Sequence, residues 1–144
     1  MAFDFDNKTW VINMHQGDTG SKWIHAERES GAAWTEDDRC LFTVTDASGR
    51  VVIQRAYRLD DQWDAGDGNF LMEFHNNDTD ELPAGTYYTE WRFAVSPTWN
   101  GPVPEGRCAN TMVNGEVVTR MTDGPIVRTK IQSTMMIKGV SGKI

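Results

Sequence analysis

Apolar and polar side chains alternate with a period of two along much of the chain. Over residues 86–96, Tyr87, Thr89, Trp91, Phe93 and Val95 fall on one side, and Tyr88, Glu90, Arg92, Ala94 and Ser96 on the other. Successive side chains of a strand point to opposite faces, so this stretch predicts a strand with one buried and one wet side. Phe70, Met72 and Phe74 alternate with Leu71, Glu73 and His75 in the same way, and Cys40, Phe42 and Val44 with Leu41, Thr43 and Thr45. Val51, Ile53 and Tyr57 form a fourth set, which Arg55 interrupts. Residues 9–14 predict a first strand with Trp10, Ile12 and Met14 on one face, and residues 126–131 and 134–140 predict two strands near the C-terminus.

Turn residues separate these runs. Asp46-Ala47-Ser48-Gly49 reads as a hairpin turn, as does Asn114-Gly115 between 111–113 and 116–121. Residues 64–69, 76–81 and 96–106 read as loops, the last holding three of the five prolines. Residues 22–31 lack helical spacing and predict a turn or a bent strand. Short strands punctuated by Gly, Pro, Asn and Asp predict an all-β fold, an immunoglobulin-like sandwich of about 7–9 antiparallel strands. The 144 residues suit a single domain, 1–144, with residues 107–144 a candidate hairpin appended to the sandwich and used for oligomer contacts.

Composition narrows the function classes. Apolar residues make up 39% and charged residues 24%, with no run near the roughly 20 apolar residues of a membrane span. The start, Met-Ala-Phe-Asp-Phe-Asp, lacks the basic and apolar regions of an export signal, so a virion-bound or cytoplasmic product is expected. The net charge of -7 disfavours nucleic acid as a partner. The charge is uneven. Residues 1–105 carry 19 acids and 8 bases, whereas residues 106–144 carry 2 acids and 6 bases. Either both surfaces are simply solvated, or the basic end of one subunit (Arg107, Arg120, Arg128, Lys130, Lys138) meets the acidic body of the next. Cys40 and Cys108 read as two free thiols, with no Cys-x-x-Cys for zinc.

Two short patterns bear on identity. The first strand runs into Gln16-Gly17-Asp18-Thr19, where Gly17 permits a tight turn and Asp18 can cap backbone N–H groups. In Leu82-Pro83-Ala84-Gly85-Thr86-Tyr87, Pro83 fixes φ and Gly85 admits a positive φ, so the chain can reverse between sheets. Tyr87 can then return its hydroxyl to an upstream backbone group, as in a tyrosine corner. Over residues 9–96 the combination resembles the immunoglobulin-like N-terminal domains of phage and prophage baseplate proteins of the baseplate upper protein type. The resemblance implies a structural virion component without catalysis, which oligomerises and docks neighbouring tail proteins. Thr89 stands where an antibody domain has its second cysteine, which limits any relation to architecture.

Candidate chemistry is sparse. His15 and Asp18, and His75 and Asp78, repeat one spacing at two strand ends and would assemble four metal ligands if the loops met. Asp64, Asp67 and Asn69, with Asp60 and Asp61 nearby, are rich in oxygen but lack the EF-hand order. The neighbouring pairs Asp37/Asp38 and Asp60/Asp61 point apart in extended chain. No nucleophile elbow, zinc-protease motif or phosphate loop is present, so no catalytic residue, metal or cofactor is implied. Of six tryptophans, Trp91 and Trp10 fall on buried faces. Trp23, Trp34, Trp63 and Trp99 fall in predicted loops, where they can cover the sandwich, anchor a subunit interface or stack on sugar rings of a host polysaccharide. The expected function is assembly through protein–protein contacts, with carbohydrate binding as the alternative.

Overall fold

The computed structural model describes residues 3–26, 37–58, 69–94, 98–99, 121–123 and 126–139. In chain order these form β1 (Asp4–Phe5), β2 (Ile12–His15), β3 (Gly20–His25), β4 (Arg39–Thr45), β5 (Val51–Arg58), β6 (Asn69–Phe74), α1 (Asn76–Thr79), β7 (Gly85–Ala94), β8 (Thr98–Trp99), β9 (Met121–Asp123) and β10 (Ile126–Lys138). Six strands make one sheet in the order β1-β2-β10-β7-β4-β5, while β3 pairs with β6 and β8 with β9. Every pairing is antiparallel except that of β2 with β10.

The architecture is all-β and sandwich-like. The β3–β6 ribbon contributes Ile24, Phe70, Met72 and Phe74 to the core that the large sheet fills with Ile12, Met14, Phe42, Val44, Ile53, Trp91, Phe93, Met135 and Ile137. The period-two faces read from the sequence are those that pack. Cys40, Phe42 and Val44 are buried, as are Tyr87, Thr89, Trp91 and Phe93. Aromatic rings knit the two layers, with centroids 4.9 Å apart for Phe3 and Phe74, 5.4 Å for Tyr57 and Phe70, and 6.4 Å for Phe42 and Phe74.

Four expectations change. Residues 22–25 belong to a regular strand, β3, because Ile24 fills the core opposite Phe70 of β6. The expected loop at 76–81 contains the single turn α1. The two C-terminal strands are one continuous strand. Finally, the segment considered as an appended hairpin supplies, over Ile126–Lys138, a central strand between β2 and β7. Its inward Met135 and Ile137 are core residues, which ties it into the sandwich. The predicted hairpin at 111–121 lies almost wholly outside the described residues.

Trp10 is the one described residue other than glycine with a positive φ, 62°. Its N–H donates to the Asp6 carbonyl (2.6 Å), and that turn swings the indole into the core against Trp91 and Phe93. A bulky residue in this region is strained. Burial of a large aromatic surface offsets the strain.

Candidate functional site

The two His-x-x-Asp segments do meet, and they use their aspartates for something other than metal. Asp18 accepts the His15 backbone N–H through Oδ2 (2.8 Å), and Asp78 accepts the His75 backbone N–H through Oδ2 (2.7 Å). In return, the Asp18 N–H donates to the His15 carbonyl (3.1 Å) and the Asp78 N–H to the His75 carbonyl (3.0 Å). Both aspartates are buried, while both imidazoles are about half exposed. The corners are stitched together. The Gly17 N–H donates to Thr79 Oγ1 (3.0 Å), and Gln16 Nε2 donates to the Leu82 carbonyl (2.7 Å). Gly17 reaches this position with φ at 78°, in the left-handed region that favours glycine. Among the described residues, no three His, Cys, Asp or Glu side chains converge as metal ligands do.

Below the second corner lies a charged group in the core. Arg55 is the residue that interrupts the pattern of β5, yet it points inward with Ile53 and Tyr57 and is fully buried. Its Nη2 lies 2.5 Å from Asp78 Oδ2, its Nη1 donates to the Glu73 carbonyl (2.6 Å), and its guanidinium carbon sits 5.2 Å from the Phe74 ring centre. Burial, the largest influence, works against the charge on Arg55. Tyr57 and Asp78 more than offset it and leave the guanidinium pKa above its ordinary value. Burial pushes the Tyr57 hydroxyl up as well, against the pull of Arg55. Such a pair is costly to desolvate and costly to break, so it holds one geometry.

The turn that follows α1 brings the chain into β7. Tyr87 donates its hydroxyl to the Pro83 carbonyl (2.6 Å), with Gly85 at a φ of 151° between them. Beside this corner runs an open groove of about 440 Å³, lined by Asp46, Ser48, Val52, Leu82, Pro83 and Tyr87 among others. Burial first, and the nearby Asp46 carboxylate second, raise the Tyr87 pKa. Asp37 is exposed and Asp38 buried, so these neighbours do not share a site.

The outward faces carry the exposed apolar side chains. Trp23 is 42% exposed, Tyr88 50% and Met136 37%. Trp23 was expected in a loop. It stands instead on the outer face of β3, directly across from Leu71 of β6. Tyr88 and Met136 stand on the outer face of the six-stranded sheet, where Tyr88 pairs with Thr134 and Met136 with Thr86. Lys138 lies two residues beyond Met136 and is exposed. Sequence reasoning assigned Tyr88 to a wet face and passed over Met136; their place on adjacent strands was the missing information. Arg128 and Lys130 fall on β10 and Trp99 on β8. Trp34, Trp63, Arg107 and Arg120 lie outside the described residues, as do Cys108 and Asp60, Asp61, Asp64 and Asp67. Cys40 is fully buried. Compared with protein-family models, curated proteins and solved structures, the chain matches none.

Proposed function

We propose that the protein is a non-enzymatic assembly subunit that acts through protein–protein contacts, with copies of itself and other particle proteins as partners. The observation that carries this reading is the placement of Trp23, Tyr88 and Met136 on open strand faces outside the closed core. Tryptophan and tyrosine anchor interfaces well because they bury large area at low entropic cost. Among the described residues, the buried Asp18 and Asp78 carboxylates serve backbone caps, and Asp78 also pairs with Arg55.

The immunoglobulin-like reading has support in strand order. Strand β7 lies between β10 and β4, β5 extends that sheet, and β3–β6 faces it. A tyrosine corner at the start of β7 belongs to the same plan. Placement in a phage or prophage tail or baseplate rests on the resemblance carried by residues 16–19 and 82–87. It implies a virion location, or the bacterial cytoplasm during expression. Sedimentation and crosslinking with mass measurement test the assembly reading. Oligomers are expected at low salt and should shrink as salt screens charged contacts. A monomer at low salt and high protein concentration overturns it.

A second reading has one observation in its favour. The exposed Trp23 indole shares its face with Ser21 and Glu73, which suits stacking and hydrogen bonding to a sugar ring. A saturable change of tryptophan fluorescence on titration with a host polysaccharide would favour carbohydrate binding.

A further inference from the structure

The exposed apolar side chains form two unlike patches on opposite sides of the sandwich. Trp23 and Leu71 are a directly opposed cross-strand pair on the outer face of the β3–β6 ribbon, and Glu73 follows two residues along the same face. Ile24, Phe70 and Met72, the alternate residues, enter the core. On the far side, Tyr88 and Met136 sit on adjacent strands of the large sheet, diagonal across the Thr134–Tyr88 and Met136–Thr86 pairs. Their alternates, Tyr87, Met135 and Ile137, enter the same core from the opposite direction.

The charges beside the patches differ in sign. Glu73 flanks Trp23, with His75 Nε2 3.7 Å away. Lys138 flanks Met136 and lies in register with His15. Two acidic groups near that patch, Glu90 and Asp46, are engaged within the chain. Glu90 and Arg92 face each other at 3.9 Å, and Asp46 Oδ1 accepts three bonds from its own turn. A twofold contact through the ribbon would bring two Glu73 carboxylates toward each other, and one through the large sheet would do the same with two Lys138 ammonium groups. A contact of ribbon on sheet sets Glu73 against Lys138 and lays the Trp23 indole on Tyr88 and the Met136 thioether.

We infer that the protein stacks face to back, the Trp23–Leu71 face of one copy seating on the Tyr88–Met136 face of the next. This rests on the assembly reading and gives it a geometry. Such a contact is heterologous, so each added copy leaves one open face of each kind. The series closes into a ring where the rotation permits, and otherwise continues as a filament.

Two variants test it, Trp23→Glu and Tyr88→Glu. Both side chains are exposed, and circular dichroism checks that each variant keeps a strand spectrum. Leu71→Glu and Met136→Glu replace either that fails. In sedimentation velocity the wild type should exceed dimer mass, and each variant alone should be monomeric. An equimolar mixture should give a 1:1 heterodimer of doubled mass and nothing larger, because only one intact pair of faces remains. A monomeric wild type overturns the assembly reading and the stacking together. A wild type that associates while either variant alone still dimerises, or while the mixture stays monomeric, overturns the stacking alone.

Discussion

Residues 15–19 and 75–79 share the pattern His-x-x-Asp-Thr, and their backbones are capped alike, yet the two corners differ in what lies beneath them. At the first, Asp18 caps the turn with His15 Nδ1 at 3.8 Å, and Thr19 is exposed. At the second, Asp78 caps the turn and also grips Arg55 in the core, and Thr79 is fully buried and accepts the Gly17 N–H. The same local sequence makes a surface turn in one place and a structural anchor in the other. Tertiary surroundings set the energetic weight of a cap, because the hydrogen bond itself is equally short in both.

Substitution by asparagine separates the two roles most strongly. An amide keeps an oxygen to accept the backbone N–H but removes the charge. Asp78→Asn should cost about 3–5 kcal/mol, since it strands a buried guanidinium. For a domain of this size that lowers the thermal midpoint by roughly 10 °C. Asp18→Asn should cost less than about 1 kcal/mol. Calorimetry of both variants checks the contrast. In the double variant Arg55→Met with Asp78→Asn most of the loss should return, because no buried charge is left. If the two asparagine variants lose equal stability, the ion pair is not what distinguishes the corners.

Much of this contrast was legible along the chain, and its cause was not. The alternation of residues 86–96 identifies β7 and its buried face because a half-buried strand leaves that record wherever it pairs. The same record flags Arg55, since residues 51, 53, 55 and 57 all point inward and only 55 is charged. The interruption was the mark of a core arginine, but its partner Asp78 lies 23 positions on and across a layer. Non-local pairing leaves no local trace, which also explains why the place of β10 inside the large sheet was missed. The shared spacing of His15–Asp18 and His75–Asp78 was visible and suggested metal ligands. The recurrence of Thr at 19 and 79 points instead to a repeated capping turn. Trp23 falls in a predicted loop because residues 22–31 lack helical spacing and read as a turn or a bent strand, whereas pairing with β6 makes residues 20–25 a strand.

The stitch between the corners can be cut without touching either aspartate. Thr79→Val keeps the shape of a fully buried side chain and removes the acceptor of the Gly17 N–H. A loss of about 1 kcal/mol is expected, from one unmade hydrogen bond. Gly17→Ala should cost a similar amount, about 1 kcal/mol, by forcing a Cβ into the left-handed region. Amide exchange sharpens the comparison. Thr79→Val should speed exchange at Gly17 and leave the His75 amide, still capped by Asp78, unchanged. Equal acceleration at both would mean that the corners open as one unit.

A third aspartate extends the series to an exposed turn and gives the smallest effect. Asp46 Oδ1 accepts the Ser48 N–H (2.9 Å), the Ser48 hydroxyl (2.7 Å) and the Arg50 N–H (3.0 Å). The Ser48 hydroxyl first, and the Arg50 backbone N–H second, hold its carboxyl below the ordinary value of 3.8. A value depressed by folding means that the carboxylate's contribution is fully present above the unfolded value and is lost as pH falls through the folded one. Asp46→Asn keeps the acceptor and removes the charge. Wild type and variant should therefore differ in thermal midpoint at neutral pH and converge in acid, once both carry a neutral side chain. A gap that stays constant with pH would show that the oxygen's position, and not its charge, closes the turn. Asp46 would then join Asp18 as a cap whose charge is dispensable, and Asp78 would stand apart because it alone faces a buried cation.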